Sequence, residues 1–192
     1  MVGPRSFGND LLRRSPNAHR FDFVEVDREQ RLIRFKPGRW SIHQDVIVPA
    51  GYLLVIGPAT TLDLVDRAML LSYSALDCQG TAEQPVVIMS SDGTGQGLVV
   101  MEAPEESKLS HVRFEGLKYP KRSNWSLTGS VTFYESPLVA DHCAFVSNQS
   151  EDGLNTVRTH FALSNCLFDQ SASDAFDADF CTGSVEDTRF LN

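Results

Sequence analysis

The sequence predicts an all-β fold, a right-handed parallel β-helix in which short strands stack in coils around one apolar core. Two observations support this prediction. A short motif recurs with a spacing near 22 residues, and its apolar positions alternate with other positions in the period of two that is typical of strands. A strand repeat of this length has an apolar face that only neighbouring coils can cover. We therefore expect one solenoid domain.

The repeated motif has the pattern apolar-x-x-small-x-Phe. It occurs at Leu109–Phe114, Ala140–Phe145, Leu163–Phe168 and Val185–Phe190. The steps between its phenylalanines are 31, 23 and 22 residues, so we expect the four rings to form one buried stack with almost no α-helix around it. The longer first step predicts a loop that projects from one coil, within which Lys118–Asn124 lies. A leucine-rich repeat has a similar period, but its spaced leucines are absent here.

The two ends of the stack are expected to differ. Residues 1–32 are interpreted as an irregular N-terminal lead-in that caps the β-helix of residues 33–192, with Val24–Val26 and Arg31–Phe35 forming a hairpin. The chain stops directly after the last repeat, without a segment that could act as a cap. We therefore expect a β-helix truncated at its C-terminal end, and self-association through the last coil.

The composition argues against several classes of function. The formal net charge is -8, from 17 basic and 25 acidic residues, and no run of Lys or Arg exceeds two residues, which disfavours a nucleic-acid partner. The longest apolar stretches, such as Gly51–Ile56 and Leu98–Met101, are far shorter than the ~20 residues of a membrane span. Met1–Asp10 has no apolar segment of the kind found in a signal peptide.

The cysteines and histidines follow the repeat. The four cysteines are too few and too irregular for a disulfide framework. Cys143 and Cys166 share one repeat position and are expected to be small buried side chains, whereas Cys181 lies beside a turn. His111 and His142 share another position and should point outward from neighbouring coils. They are either ordinary surface side chains or, with a third ligand, part of a metal site.

Several turns resemble those of a known superfamily. Phe35–Ile42 contains a Pro-Gly turn, and Asp45–Leu62 contains a Pro-x-Gly and a Gly-Pro-x-Thr turn. Together they resemble the opening coils of pectin-lyase-like right-handed β-helix proteins, and Gly80–Ile88 with Gly93–Gly97 looks like the next coils. The resemblance covers most of residues 33–192. It implies the fold and leaves the activity open, because such solenoids serve as lyases, hydrolases, epimerases, adhesins and scaffolds.

A second ladder, of acidic and amide groups, is in register with the phenylalanines. Asp152 and Asn155 precede Asp174 and Asp177 by 22 residues, so we expect the two pairs to stack. Carboxylates stacked ~5 Å apart repel each other, and a bound cation would relieve the repulsion. One interpretation is therefore a Ca²⁺ site made by these three aspartates and Asp179. Solvated turn residues are the other interpretation.

A third interpretation of the acidic ladder is catalysis. Asp152, Asp174 and Asp177 would supply the acidic groups, and Arg158 would act as the base of a polysaccharide lyase. The Asn-Thr-Asp, Gly-His-Gly and Arg-Ile-Lys motifs of pectin hydrolases are absent from the sequence, as is the Asp-Pro-His-Glu motif of alginate epimerases. No Gly-x-Ser-x-Gly elbow is present either. The sequence therefore contains no complete catalytic motif.

The basic loop and the aromatic residues near it form the predicted ligand-binding surface. Its members are Lys118, Lys121, Arg122, Trp125 and Tyr134. The cationic groups would contact an acidic sugar, and the aromatic rings would stack on sugar rings. Strand alternation allows only one of Phe133 and Tyr134 to face outward. A solvated loop is the alternative.

Two functions are consistent with these residues. The first is a non-catalytic β-helix module of a larger envelope or secreted protein, which acts as a rigid scaffold or a glycan-binding surface outside the cytoplasm. The second is a carbohydrate-active enzyme, a polysaccharide lyase or hydrolase. Ca²⁺ is the only cofactor that the residues suggest. A groove with converging acids and a base would favour the enzyme, and flat solvated strand faces would favour the scaffold.

Overall fold

A computed structural model describes residues 14–123 and 125–191. These residues form a β-solenoid of about 7 turns, in which three parallel sheets run along the stack and enclose an apolar core. The predicted all-β parallel β-helix is confirmed. The only helical element in the described chain is a 3₁₀ turn at Ala18–Arg20. No helix in the described ranges is long and apolar enough to cross a membrane.

Each full turn contributes one strand to each of three faces. The first face contains β1 (Val24–Asp27), β2 (Leu32–Phe35), β5 (Leu53–Ile56), β8 (Ala75–Gln79), β11 (Ser107–Ser110), β16 (Leu138–Asp141), β19 (His160–Ser164) and β22 (Thr182–Glu186). The second face contains β3 (Gly38–Ile42), β6 (Thr60–Leu64), β9 (Val86–Met89), β12 (Val112–Glu115), β17 (Ala144–Val146), β20 (Leu167–Asp169) and β23 (Arg189–Leu191). The third face contains β4 (Val46–Val48), β7 (Leu70–Ser72), β10 (Leu98–Met101), β15 (Gly129–Tyr134), β18 (Asp152–Val157) and β21 (Asp174–Asp179).

The phenylalanine ladder lies on the inner side of the second face, as predicted. The ring centroids of Phe114, Phe145, Phe168 and Phe190 follow one another at 5.0, 4.6 and 4.9 Å, close to the ~4.8 Å spacing of strands in a sheet. The first three rings are fully buried. The prediction is wrong for Phe190, which is 50% exposed because no strand of the described chain lies beyond it.

Single residues in the left-handed backbone region form the corners of the solenoid. They are His111, His142, Asn165 and Asp187 between the first and second faces, Gly116, Ser147 and Gln170 between the second and third, and Glu102, Glu135, Arg158 and Phe180 between the third and first. Corner residues with a coil beyond them donate their backbone N–H to that coil, for example His142 to the Ser164 carbonyl at 3.1 Å. The inter-coil hydrogen bonds therefore continue around the corners, which leaves few backbone groups unpaired.

The two ends of the solenoid have different cover. At the N-terminal end β1 pairs antiparallel with β2, as predicted, and Phe23 is buried against Phe35 and Trp40. At the other end every residue of β22 and β23 is exposed. The last coil therefore exposes its core-facing side chains, as the sequence predicted.

The segment predicted to project from one coil instead lies flat on the solenoid. It contains a short antiparallel hairpin, β13 (Lys121–Arg122) and β14 (Trp125–Ser126). Trp125 and Leu127 pack on a second apolar cluster that includes Ile47, Leu71 and Val99 on the outer side of the third face. The prediction of a projecting loop failed because the strands beneath it are apolar on both sides and need cover. Asn124, the last residue of that predicted loop, is outside the described residues.

Candidate functional site

Arg122 holds this hairpin against the solenoid. Its guanidinium donates to the carboxylate of Asp45 through Nε, at 3.2 Å, and through Nη2. It also donates to the side chain of Gln96 and to the carbonyl groups of Lys121, at 2.8 Å, and Arg67, at 2.6 Å. These five contacts use all five N–H donors of the guanidinium. Arg122 therefore has no donor left for an acidic sugar, and the structure gives it a structural role.

The other residues of the predicted ligand surface are divided between two environments. Lys118 and Lys121 are exposed. Trp125 and Tyr134 are partly buried against the second apolar cluster, and Phe133 faces the core, so the expected alternation is confirmed. Glycan binding by the exposed lysines stays a prediction.

The acidic ladder has the predicted register. Asp152 pairs with Asp174, and Asn155 pairs with Asp177. Asp152 and Asn155 are nevertheless buried, at 3% and 4% exposure, whereas Asp174 is exposed. The amide nitrogen of Asn155 donates to the Asp152 carboxylate at 3.0 Å and to the hydroxyl of Thr128 at 2.9 Å. The amide oxygen of Asn155 is buried without a hydrogen-bond partner.

The aspartates of this ladder do not converge on a common point. Asp179 pairs with Val157 and not with another acidic residue. No group of three or more His, Cys, Asp or Glu side chains in the described parts of the chain is arranged to hold a metal ion. Calcium binding by Asp152, Asp174, Asp177 and Asp179 stays a prediction that the described geometry does not favour.

The predicted lyase base lies at the opposite end of β18 from Asp152. Asp152 begins β18 and Arg158 follows its last residue, so six residues of extended chain, about 20 Å, separate the two. Arg158 instead forms an ion pair with Glu135 at 3.6 Å and donates to the hydroxyl of Tyr134 at 3.1 Å. The expected cooperation of Arg158 with Asp152 is therefore not supported, because a strand holds the two residues at opposite ends.

Arg158 lies in a groove on the surface, which we call the corner groove. The groove has a volume of about 480 Å³ and follows the corner between the third and first faces. Its lining consists of Pro104, Glu135, Pro137, Arg158, Thr159, His160, Phe180 and Thr182. Nδ1 of His160 is hydrogen-bonded to the hydroxyl of Thr182. An ion pair, an imidazole, two threonine hydroxyls and one aromatic ring thus line the same groove.

That ring, Phe180, is in an unfavourable position for the stability of the chain. It is 87% exposed and has a left-handed backbone with φ of 55°. A bulky residue is strained in this region, and an exposed aromatic ring gains nothing from burial. The preceding corner residues Glu135 and Arg158 are also exposed, although coils flank them on both sides. Phe180 therefore points outward because it is a corner residue, and not because it lies in the last coil. Sequence reasoning missed Phe180 because its corner position was not recognised.

A second polar cluster lies at the next corner. The rings of His111 and His142 are stacked at 4.8 Å, on neighbouring coils as predicted. Asp141 accepts hydrogen bonds from Ser164 at 2.7 Å and Asn165 at 2.9 Å, and it pairs with His142 at 2.8 Å. The Asn165 amide lowers the pKa of Asp141 to about 2 against the opposing effect of partial burial, and Ser164 and His142 add to the lowering. The cluster joins two coils.

The cysteines lie in the predicted environments. Cys143 and Cys166 are buried and free, and Cys181 is partly exposed. The hydrogen bond with Cys166, together with burial, raises the pKa of Cys143 well above its ordinary value. A thiol with a raised pKa is a poor nucleophile because little thiolate forms. The structure therefore supports a packing role for Cys143.

The fold defines the chain as a parallel β-solenoid protein. No protein family, curated protein or solved structure matches the chain in the comparisons with known proteins. The solenoid is compatible with a parallel β-helix superfamily, and no family match supports the pectin-lyase-like superfamily that the sequence resembles. Membership of that superfamily stays a prediction, because the same architecture occurs with many functions.

Proposed function

We propose that this chain is a non-catalytic β-helix module of a larger envelope or secreted protein, and that it binds a glycan in the corner groove. The observation that carries the proposal is the exposed ring of Phe180 beside the Glu135–Arg158 ion pair. Sugars present C–H faces that pack on aromatic rings and hydroxyls that bond to planar polar side chains. Strained, exposed residues of this kind cluster at binding sites.

The charges of the groove favour an uncharged glycan. Arg158 and Glu135 are the only Arg, Lys, Asp or Glu residues in its lining, and they are paired. The chain as a whole has a formal net charge of -8, which repels acidic polysaccharides at a distance. Neutral hexose units, with hydroxyls for Arg158, His160 and Thr182, fit this environment better than uronic acids.

The same groove supports binding more than catalysis. Glycoside hydrolysis generally uses two carboxyl groups that flank the scissile bond, and Glu135 is the only carboxylate in the groove lining. Arg158 would need to lose a proton to act as the base of a lyase, and the neighbouring Glu135 stabilises its charged form. A carbohydrate-active enzyme is therefore the alternative that the experiment below also tests.

The test is a glycan array followed by calorimetric titration of the glycans that bind. Phe180→Ala and Arg158→Ala should each weaken binding by about tenfold or more, the effect of ~1.4 kcal/mol. Arg113→Ala is the matched control, because Arg113 forms an exposed ion pair with Glu115 at 2.7 Å on the second face and should not affect binding. Unchanged affinity in Phe180→Ala would refute glycan binding in the corner groove. Release of cleaved or unsaturated sugar products would refute the non-catalytic part.

We also propose that the last coil mediates self-association. Val185, Phe190 and Leu191 are 43–50% exposed on strands whose outer edges are unpaired within the described chain. Open strand edges and exposed core side chains favour pairing with another chain. Because β1 and Phe23 cover the opposite end, a second copy of this chain would associate through its own last coil, in a closed pair.

A further inference from the structure

A pocket near the N-terminal end of the solenoid brings three arginines together. It has a volume of about 380 Å³ and is lined by Arg14, Gln44, Asp45, Asp66, Arg67, Ala68 and Arg122. It shares no lining residue with the corner groove, so it is a separate feature of the surface. We call it the arginine pocket.

The arginine pocket has an excess of positive charge. The buried carboxylate of Asp45 is shared by Arg14, at 2.7 Å, and Arg122. Asp66 is already bonded to His43, at 2.7 Å. Three arginines against two aspartates leave one excess positive charge, in a chain whose formal net charge is -8. One carboxylate thus neutralises only one of the two guanidiniums that share it.

Hydrogen bonds hold the backbone of Arg67 in place. Asp66 and Arg67 are consecutive left-handed residues, with φ of 54° and 64°. Their N–H groups donate to Asp92 at 3.0 Å and Thr94 at 2.9 Å, and the Arg67 carbonyl accepts from Arg122 at 2.6 Å. The guanidinium of Arg67 forms no hydrogen bond or ion pair with any described residue. A strained backbone that is over-determined in this way is typical of binding positions.

We infer that the arginine pocket binds an oxyanion, that is, a phosphate, sulfate or carboxylate group. Arg14 and Arg67 have N–H groups that no described residue accepts, and the fork of a guanidinium matches two oxygens of such an anion. Arg122 contributes charge alone, because its donors are all used within the protein. The bound anion would offset the excess positive charge. This site is independent of the glycan site proposed above.

Calorimetric titration of the full chain at constant ionic strength tests the inference. The probes are inorganic phosphate, sulfate and a galacturonate oligosaccharide. At least one should bind saturably at one site, and Arg67→Ala should weaken that binding by about tenfold or more. Arg31→Ala is the matched control, because Arg31 is also an exposed arginine with a left-handed backbone, with φ of 53°, and should bind as the unchanged chain does.

The three probes separate the sources of the anion. Binding of phosphate or sulfate alone indicates a free ion or a phosphorylated or sulfated ligand, and binding of the oligosaccharide alone indicates an acidic sugar. The bound probe should also raise the thermal midpoint of the unchanged chain and leave that of Arg67→Ala unchanged, which separates lost binding from lost folding. Absence of saturable binding by all three probes, or equal loss in Arg31→Ala, would overturn the inference.

Discussion

The N-terminal and C-terminal halves of this solenoid use the same strands and corners but different outward side chains. One row on the outer side of the third face shows the change, because it passes through Ile47, Leu71, Val99, Thr132, Asn155 and Asp177. The first three are buried beneath the hairpin of Arg122 and Trp125. The last three are polar, and Asp177 is only partly buried. The outward residues are therefore free to vary while the coil is maintained.

This comparison shows where function can reside in such a fold. The inward residues determine the coil, so their chemistry is constrained throughout. In the N-terminal half the outward residues of the third face also serve stability, because a hairpin covers them. In the C-terminal half they are released from packing, and both the polar ladder and the corner groove lie there.

The largest expected effect tests the difference in core packing. Phe145→Ala removes a fully buried ring between Phe114 and Phe168 and should lower the free energy of unfolding by ~3–5 kcal/mol. Phe190→Ala removes the same group where it is 50% exposed and should cost much less. Urea unfolding of both variants measures the difference. Equal losses would show that the last coil is covered in solution.

The next effect tests the hairpin as a cover for the N-terminal half. Arg122→Met leaves the buried Asp45 with Arg14 as its only cationic partner among the described residues, and it should lower the free energy of unfolding by about 2–3 kcal/mol. Trp125 fluorescence, read in a Trp40→Phe background, should shift to the red as the hairpin loosens. Arg113→Met breaks an exposed ion pair and should change stability by less than ~1 kcal/mol. Similar losses in both variants would contradict the role of Arg122.

A smaller effect tests the polar ladder of the C-terminal half. The buried amide oxygen of Asn155 has no donor, and Asp177 is its neighbour in the next coil. Asp177→Asn adds a donor there and should raise the free energy of unfolding by ~1 kcal/mol. Asp179→Asn is the matched control, because Asp179 pairs with Val157.

The predicted Ca²⁺ site has its own test. If the aspartates bind calcium, the thermal midpoint should be higher in calcium than in EDTA, and Asp174→Asn should reduce that difference.

The pH dependence of the C-terminal half follows from Asp141. Its pKa is lowered to about 2 in the folded chain, below the ~3.9 of an unfolded Asp, so its charged form stabilises the fold above pH ~4. That contribution is lost as the pH falls from ~4 towards 2. Asp141→Asn should therefore be less stable than the unchanged chain at pH 6, and the gap should narrow at low pH. Urea unfolding of both chains at pH 6 and at low pH checks this. A stability difference that does not change with pH would contradict it.

The weakest expected effect concerns self-association through the last coil. Sedimentation velocity should show a concentration-dependent pair of chains, because Val185 and its neighbours are exposed on the last coil. Val185→Lys places a charge on that face and should abolish the pair. Tyr119→Lys changes an exposed side chain of the hairpin region, at 38% exposure, and should leave the pair intact. A monomer at all concentrations would remove the self-association proposal.

The repeat could be predicted from sequence because it is local and periodic. A period of two and a spacing of 22 residues were sufficient to identify strands, the phenylalanine ladder and the pairing of Asp152 with Asp174. The hairpin could have been found from the continuous apolar strands β4, β7 and β10, which indicate burial on both sides. Its attachment could not, because Arg122 and Asp45 are 77 residues apart and share no pattern.

By itself, the sequence determined the architecture of this protein, since its coils repeat a pattern of inward apolar side chains that only neighbouring coils can cover. Only the tertiary structure decided which polar residues meet. It separated Arg158 from Asp152 because a strand lies between them, and it placed Arg158 beside Glu135 and Phe180 because corner residues of successive coils stack. Which residues meet between coils depends on the number of residues in each turn, and insertions change that number. The composition of a segment does not show it.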